Sequence, residues 1–270
     1  MKKQTPTPSN RAAFTLLELM VVVVIIAILI ALTVPAIQGV MQNARNAEVT
    51  AEITRIETAI SSFKAEYNIE PWSTILLTED PDDTAWPTES RTALRRIFPQ
   101  FTFSGQIDFN NDGDTDDTLT LTASECLVFF LGGMQQNGAL IGFSKNPLAP
   151  FNPAGQSRTD RLFEFETDRL VDTDGDGMLE YVDPQNDGST PYLFVSSNNG
   201  QGYLSTDSYY RDGAGQPWRP DTHQIISPGE DGDFGFQPSD QPTYTADTEL
   251  PAARSAEVDN ITNFSSGTLN

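Results

Sequence analysis

Acidic side chains recur in three Gly- and Asn-rich loops, at spacings that could gather oxygen ligands around a hard cation. The fullest loop reads Asp172-Thr-Asp174-Gly-Asp176-Gly177-Met178-Leu-Glu180-Tyr-Val-Asp183. Calcium takes six to eight oxygens at about 2.3–2.6 Å, and side chains at loop positions 1, 3 and 5 converge when the chain wraps the ion. Asp172, Asp174 and Asp176 hold those positions. Gly177 allows the sharp turn, Met178 offers its carbonyl, and Asp183 stands at the closing position, as Asp rather than the usual Glu. The competing reading is a solvated Asp-Gly turn.

A second loop begins equally well, with Asp108, Asn110, Asp112 and Asp114 in the corresponding places. Its closing position falls on Leu119, which cannot ligate; Asp116 or Asp117 is the available substitute. The third loop, Ser227 to Gly235, packs Glu230, Asp231 and Asp233 into four residues. Three carboxylates so close repel one another unless a cation lies among them. The Asp172–Asp183 loop also resembles the calcium loops of EF-hand and dockerin proteins, here without flanking helices.

Other chemistry finds little support. The single histidine, His223, sits at a strand start beside Ile225 and Ile226 and reads as a surface or capping residue rather than a ligand. There is no GxSxG elbow, no P-loop, no GxGxxG after a strand and no CxxC pair. The expectation is a protein that is not an enzyme. Lone Cys126 lies in the apolar run CLVFFLGG and reads as a small core hydrophobe. Trp72, Trp86 and Trp218 fall in loops, where packing outweighs ligand binding. The net charge of −22 repels nucleic acid and favours cations.

The element around which these loops must be arranged is the apolar stretch Phe14 to Ile37. As a helix rising about 1.5 Å per residue, it is long enough to cross a hydrocarbon core. Its one ionisable side chain is Glu18. A carboxylate at that depth must be protonated, paired or near an interface, and marks function by default. Upstream, Lys2, Lys3 and Arg11 predict a cytoplasmic N-terminus. A basic tail before an apolar run is also how a secretory signal peptide reads, with Val34-Pro35-Ala36 as a cleavage site. The apolar run exceeds the usual length of such a region, and helical patterning continues beyond it. A plain single-pass anchor with an interfacial Glu is a further alternative.

AFTLLELMVVVVIIAILIALTVPAI resembles the class III signal of type IV pilins and type II secretion pseudopilins. The resemblance implies cleavage by a prepilin peptidase between Ala13 and Phe14, on the cytoplasmic side, with N-methylation of Phe14. Ala13 replaces the Gly usual before the cut. Glu18 becomes the fifth mature residue and pairs with the terminal amine of a neighbouring subunit. Pro35 matches the helix-bending proline. The third acidic loop is similar to the C-terminal SPGxDGxxG loop of the major pseudopilin, which binds calcium in that family.

Downstream, Val49, Ile53, Ile56, Ile60, Phe63 and Tyr67 recur at alternating steps of four and three, one apolar stripe on an amphipathic helix that Asn68 and Pro71 end. Residues 71–90 read as a surface loop and Arg91 to Phe98 as a short helix. FTF (101–103) and TLTL (118–121) read as strands. ECLVFFLGG is a buried helix or strand. FEFE alternates; PYLFVSS and HQII are strands. Residues 237–270 read as a loosely ordered polar tail.

The expected organisation is therefore a leader at 1–13, a long helix at 14–67 that is transmembrane over 14–37, an α+β domain at 68–236 and a tail at 237–270. The expected fold is pilin-like: one long helix on small antiparallel sheets with long loops. The expected function is a filament subunit, foremost a major pseudopilin of type II secretion. It would sit as a single pass in the inner membrane, its C-terminal domain periplasmic or extracellular. Its partners would be the peptidase, itself and other pseudopilins, and the inner-membrane assembly platform. Calcium is the expected cofactor. The rivals are an adhesive or type IV pilus subunit, and an anchored calcium-binding protein that never polymerises. An anchored hydrolase has no supporting spacing.

Overall fold

A single helix, α1 (Leu16–Tyr67), carries the N-terminal fifth of the chain that the structure describes. The computed structural model describes residues 15–80, 85–155, 157–185 and 188–269; the leader, Ala13 and Phe14 lie outside them. The chain divides into two units, Met1–Arg45 and Asn46–Asn270.

In the first unit, α1 leaves its side chains uncovered. Leu16, Leu19, Val22, Ile26, Leu29 and Leu32 are all exposed. This part is long and apolar enough to cross a membrane. The helix continues through Pro35, whose missing N–H leaves one carbonyl a turn earlier without its usual donor.

In the second unit the periodicity of α1 changes to a stripe, and the stripe is buried. Val49, Ile53, Ile56, Ile60 and Phe63 are at most 2% exposed. Tyr67 packs partly buried on the same core. The helix ends where Asn68 turns to a φ of 58° and its N–H reaches the Lys64 carbonyl at 2.8 Å. Asn tolerates that left-handed conformation better than most residues.

The stripe is covered by short elements in sequence. β1 (Thr74–Thr78) pairs antiparallel with β2 (Thr118–Thr122), with Leu77 facing Leu119 and Ile75 facing Leu121. β2 alternates Thr out and Leu in, as a strand with one wet face must. Between them lies α2 (Thr88–Ile97). β2 runs directly into α3 (Ala123–Gly132), which is buried along nearly its whole length. Hairpins β3 (Gln135–Gln136) with β4 (Ala139–Leu140), and β5 (Leu170–Val171) with β6 (Glu180–Tyr181), follow. The C-terminal sheet has the order β7 (Leu193–Ser196), β8 (His223–Ser227), β9 (Ile261–Thr262), all antiparallel. This is an α+β fold with a long N-terminal helix.

Several local expectations are corrected. The Pro- and Asp-rich stretch 71–90 contains β1, because ILL finds a partner in β2. FTF forms no strand. Phe101 and Phe103 instead join an aromatic cluster with Trp86, Phe98, Phe109, Phe129 and Phe151, with ring centroids 4.4–6.3 Å apart. FEFE forms no strand either; Phe163 and Phe165 turn onto Tyr181. α2 begins three residues before the expected Arg91. The apolar run of Cys126 is a helix, and burial raises the thiol's pKa well above its ordinary value.

The tail is not loose. β9 completes the C-terminal sheet, and Ile261 and Leu269 are fully buried. Asn263 accepts from the Ile225 N–H at 3.1 Å and donates to Glu57 on α1 at 3.0 Å. His223 is also inside rather than on the surface. It is 7% exposed, and its Nδ1 lies 3.7 Å from Glu70, which Lys64 holds from the other side at 2.9 Å.

Candidate functional site

Two places carry the residues singled out by the sequence. At the start of α1, Thr15 precedes the first helical residue and Glu18 lies in the first turn. The Glu18 carboxylate accepts from the Thr15 N–H at 2.9 Å and the Thr15 hydroxyl at 2.8 Å. In return the Glu18 N–H donates to the Thr15 hydroxyl oxygen at 3.2 Å. This reciprocal box satisfies donors that every helix start leaves open. Glu18 therefore has a partner inside its own chain, and its second carboxylate oxygen takes no part in the box.

The acidic loops form the second place. The loop between residues 108 and 117 folds back on itself through its own side chains. Asp108 accepts from the Gly113 N–H at 3.2 Å, Asn110 from the Asp112 N–H at 3.3 Å and Asp112 from the Asp114 N–H at 3.0 Å. The loop after β5 repeats the pattern. Asp172 accepts from the N–H groups of Gly175 and Gly177 at 2.7 and 3.1 Å, and Asp176 from Met178 at 2.8 Å. Gly177 takes a φ of 88° with its Cα face against Asn110; a Cβ there would lie 2.8 Å from the Asn110 side chain.

The two loops touch. The Asn110 amide donates to the Asp176 carbonyl at 3.2 Å and to the Asp117 carboxylate at 3.1 Å. Gln135, at the start of β3, donates to the carbonyls of Asn110 at 2.7 Å and Gly177 at 2.5 Å.

Among the described residues, two groups of three carboxylates converge. Glu79, Asp114 and Asp117 each bring one oxygen within 4.8 Å of the others, and so do Glu125, Asp174 and Asp176. Glu79 follows β1 and is fully buried; one oxygen accepts from the Phe109 N–H at 2.6 Å. Glu125 is in the first turn of α3 and 3% exposed; one oxygen accepts from the Thr122 N–H at 2.7 Å. The other oxygen of each, Oε2 of Glu79 and Oε1 of Glu125, is buried without a hydrogen-bond partner.

Electrostatics follow from that crowding. Burial pushes the Glu125 carboxyl up to about 7, with Asp176, Glu180 and Asp174 pushing the same way against the Thr122 N–H. Burial also raises Glu79, opposed by the Phe109 N–H and reinforced by Asp108 and Asp117. Asp176 and Glu180 are raised by burial and by the neighbouring aspartates. No Lys or Arg forms an ion pair with any of the six converging carboxylates among the described residues.

The remaining loop residues go elsewhere. Asp183 is fully buried and accepts from the Gln185 N–H at 2.7 Å; its carboxylate belongs to neither group. β6 and the bridge from Val182 to Pro191 carry the chain past the loop and turn residue 183 inward. Position nine, Glu180, instead reaches back to the backbone and hydroxyl of Thr173. Met178 is buried, and its N–H is held by Asp176. In the third loop the Asp259 carboxylate accepts from the N–H groups of Glu230 and Asp231 at 2.7 and 3.1 Å, and Asp231 accepts from Asp233 at 2.8 Å. Glu230, Asp231 and Asp233 form no converging group.

Sequence reasoning missed Glu79 and Glu125. Glu125 had a usable signal: Thr122-x-x-Glu125 before an apolar run is a capping-box spacing. Glu79, after TILLT, had none.

Comparison with known proteins adds one match. The prokaryotic N-terminal methylation motif matches residues 8–34. It is the prepilin signal of type IV pilins and pseudopilins, and it encloses Ala13, Phe14, Glu18 and nearly all of the apolar run before Pro35. No curated protein and no solved structure matches the chain.

Proposed function

We propose that this chain, which bears the prepilin-type methylation motif of a pilin-like filament subunit, serves as a pseudopilin of a type II secretion system. The observation that carries the reading is the coincidence of that motif with a helix whose apolar side chains are left uncovered. Such a surface is stable in a membrane, and later in a bundle of like helices that replaces lipid. The family of this signal is structural, and the reading assigns no catalysis.

The chain waits in the inner membrane with its basic leader in the cytoplasm and the acidic domain on the far side. A prepilin peptidase removes residues 1–13 and methylates Phe14. The subunit then joins itself and other pseudopilins on an inner-membrane platform, and Glu18 takes the amine of a neighbour as its cation. The Gly- and Asp-rich loop Ser227 to Gly235 favours secretion over adhesion or motility, as does a single buried cysteine that excludes an intrachain disulfide.

Glu18 substitutions test this in the native membrane. Glu18→Gln keeps an oxygen for the Thr15 cap and loses the charge; it should insert, be cleaved and fail to assemble. Thr15→Ala removes one side of the cap and should still assemble. Assembly of Glu18→Gln at the wild-type level would refute the charge-pairing role.

A further inference from the structure

We propose that the two acidic loops form one paired site for calcium, with Glu79, Asp114 and Asp117 holding one ion and Glu125, Asp174 and Asp176 a second. The proposal stands independently of the filament reading.

The geometry admits an ion in each group. Two oxygens bound to the same calcium are separated by no more than about 5 Å. Within each group the three carboxylate oxygens lie within 4.8 Å of one another. Loop shape and acidity alone are common on protein surfaces. The separate observation is the pair of glutamates behind the loops. Glu79 is fully buried and Glu125 is 3% exposed, and each keeps one carboxylate oxygen with no hydrogen-bond partner. A buried carboxylate oxygen that accepts no hydrogen bond is strongly unfavourable unless the group is protonated or met by a cation. Among the described residues neither has a Lys or Arg ion-pair partner, and each faces two further acids. A divalent ion removes both penalties together.

The ligand type sets the metal. All six groups are carboxylates, with no thiolate or imidazole, which excludes a soft-metal site and selects calcium, magnesium or manganese. Magnesium retains waters and needs a near-ideal octahedron, whereas calcium accepts irregular, carboxylate-rich shells. Asp114 and Asp174 are exposed and give each ion a way in.

The two ions would be coupled through protein groups. Asn110 touches Asp117 in the first group and the Asp176 carbonyl in the second, at 3.1 and 3.2 Å. Gln135 ties both loop backbones. Glu79 closes β1, the aspartates of the first loop lead into β2, and Glu125 opens α3. Calcium would therefore fasten two loops to the β1–β2 pair and to the helix that fills the core, in a chain without a disulfide.

The test uses the full chain in detergent micelles, stripped with a chelator and exchanged into chelator-free buffer. Calcium chloride is titrated by calorimetry and thermal unfolding is followed in parallel. The wild type should gain Tm with calcium and gain less with magnesium. Glu79→Gln and Glu125→Gln should each bind one ion fewer than the wild type, and the double variant two fewer. Asp114→Asn and Asp174→Asn, which alter only exposed side chains, should repeat the loss of one ion each, so the result does not hang on a buried substitution. A wild-type Tm indifferent to millimolar calcium, or variants that keep the wild-type stoichiometry, would overturn the site. An equal gain with magnesium would overturn the choice of metal.

Discussion

Arg169 closes a two-pronged ion pair on Glu52, donating at 2.8 and 2.7 Å to the two carboxylate oxygens. Glu52 is on α1 and Arg169 immediately precedes β5, so the pair fixes the helix to the strands that frame the second acidic loop. Tyr181 and Tyr192 donate to the same carboxylate at 2.8 and 2.6 Å, and the guanidinium lies 4.2 Å over the Tyr181 ring. Burial alone would raise the Glu52 pKa. The hydrogen bonds from Arg169, Tyr192 and Tyr181 outweigh it and hold the carboxyl below its usual value. Arg169→Met leaves that buried carboxylate only the exposed Arg55 guanidinium, 3.9 Å away, and should cost about 3 kcal/mol, read from chemical denaturation. Adding Glu52→Leu should cost less than the sum of the two single changes, because the second removes the charge that the first stranded.

Asp183 gives the domain a pH dependence of known sign. Burial raises its carboxyl to about 6, against the pull of the Ser227 hydroxyl and the Gln185 N–H. The folded state thus holds the proton more tightly than the unfolded chain. The stability this lends is complete below about pH 4 and disappears as the pH rises through about 6. Asp183→Asn should gain on the wild type by up to about 3 kcal/mol between those limits, in chelator so that cation binding does not intervene. A constant difference between the two proteins across that range would contradict the assignment.

Gly177 and Gly175 separate conformational strain from close approach. Both have positive φ, 88° and 85°. A Cβ at Gly177 would meet Asn110 at 2.8 Å, and one at Gly175 would meet nothing within 4 Å. Gly175→Ala should cost about 1 kcal/mol. Gly177→Ala should cost roughly 1–3 kcal/mol more, and should weaken calcium binding by moving one loop off the other. Equal effects on Tm would mean that the loops do not meet as described.

The C-terminal segment should matter as much as a core strand. Deleting residues 261–270 removes β9 and the fully buried Ile261 and Leu269, and uncovers β8 and Tyr210. The shortened chain should unfold at a markedly lower Tm. A Tm within a degree or two of the wild type would restore the reading of a loose tail.

The long helix, its apolar stripe and its end at Asn68 were legible because each rests on local spacing. The same holds for β2, whose Thr–Leu alternation is written into its residues, and for β7 and β8, which read as short β-branched and aromatic runs. The tail was not legible. Its polar composition hides the fact that Ile261 and Leu269 have the edge of β8 and a small aromatic core waiting for them. Phe101 and Phe103 misled because alternation is satisfied equally by a strand and by a loop that turns both rings inward. At the acidic loops, the clustering of aspartates was visible, and so was the logic of oxygen ligands. Which carboxylates meet was not, because Glu79 and Glu125 come from elements distant in sequence, and Asp183 is carried away by β6. Arg169 as the partner of Glu52 lies 117 residues along the chain and left no local trace.

Entry of the subunit into a filament depends first on the processing of its N-terminus. Intact mass and N-terminal sequencing of the protein taken from its native membrane test that directly. The prediction is a chain that begins at Phe14 and carries one added methyl group. A chain that retains residues 1–13, or one that begins after Ala36, would contradict it and remove the basis for a filament subunit.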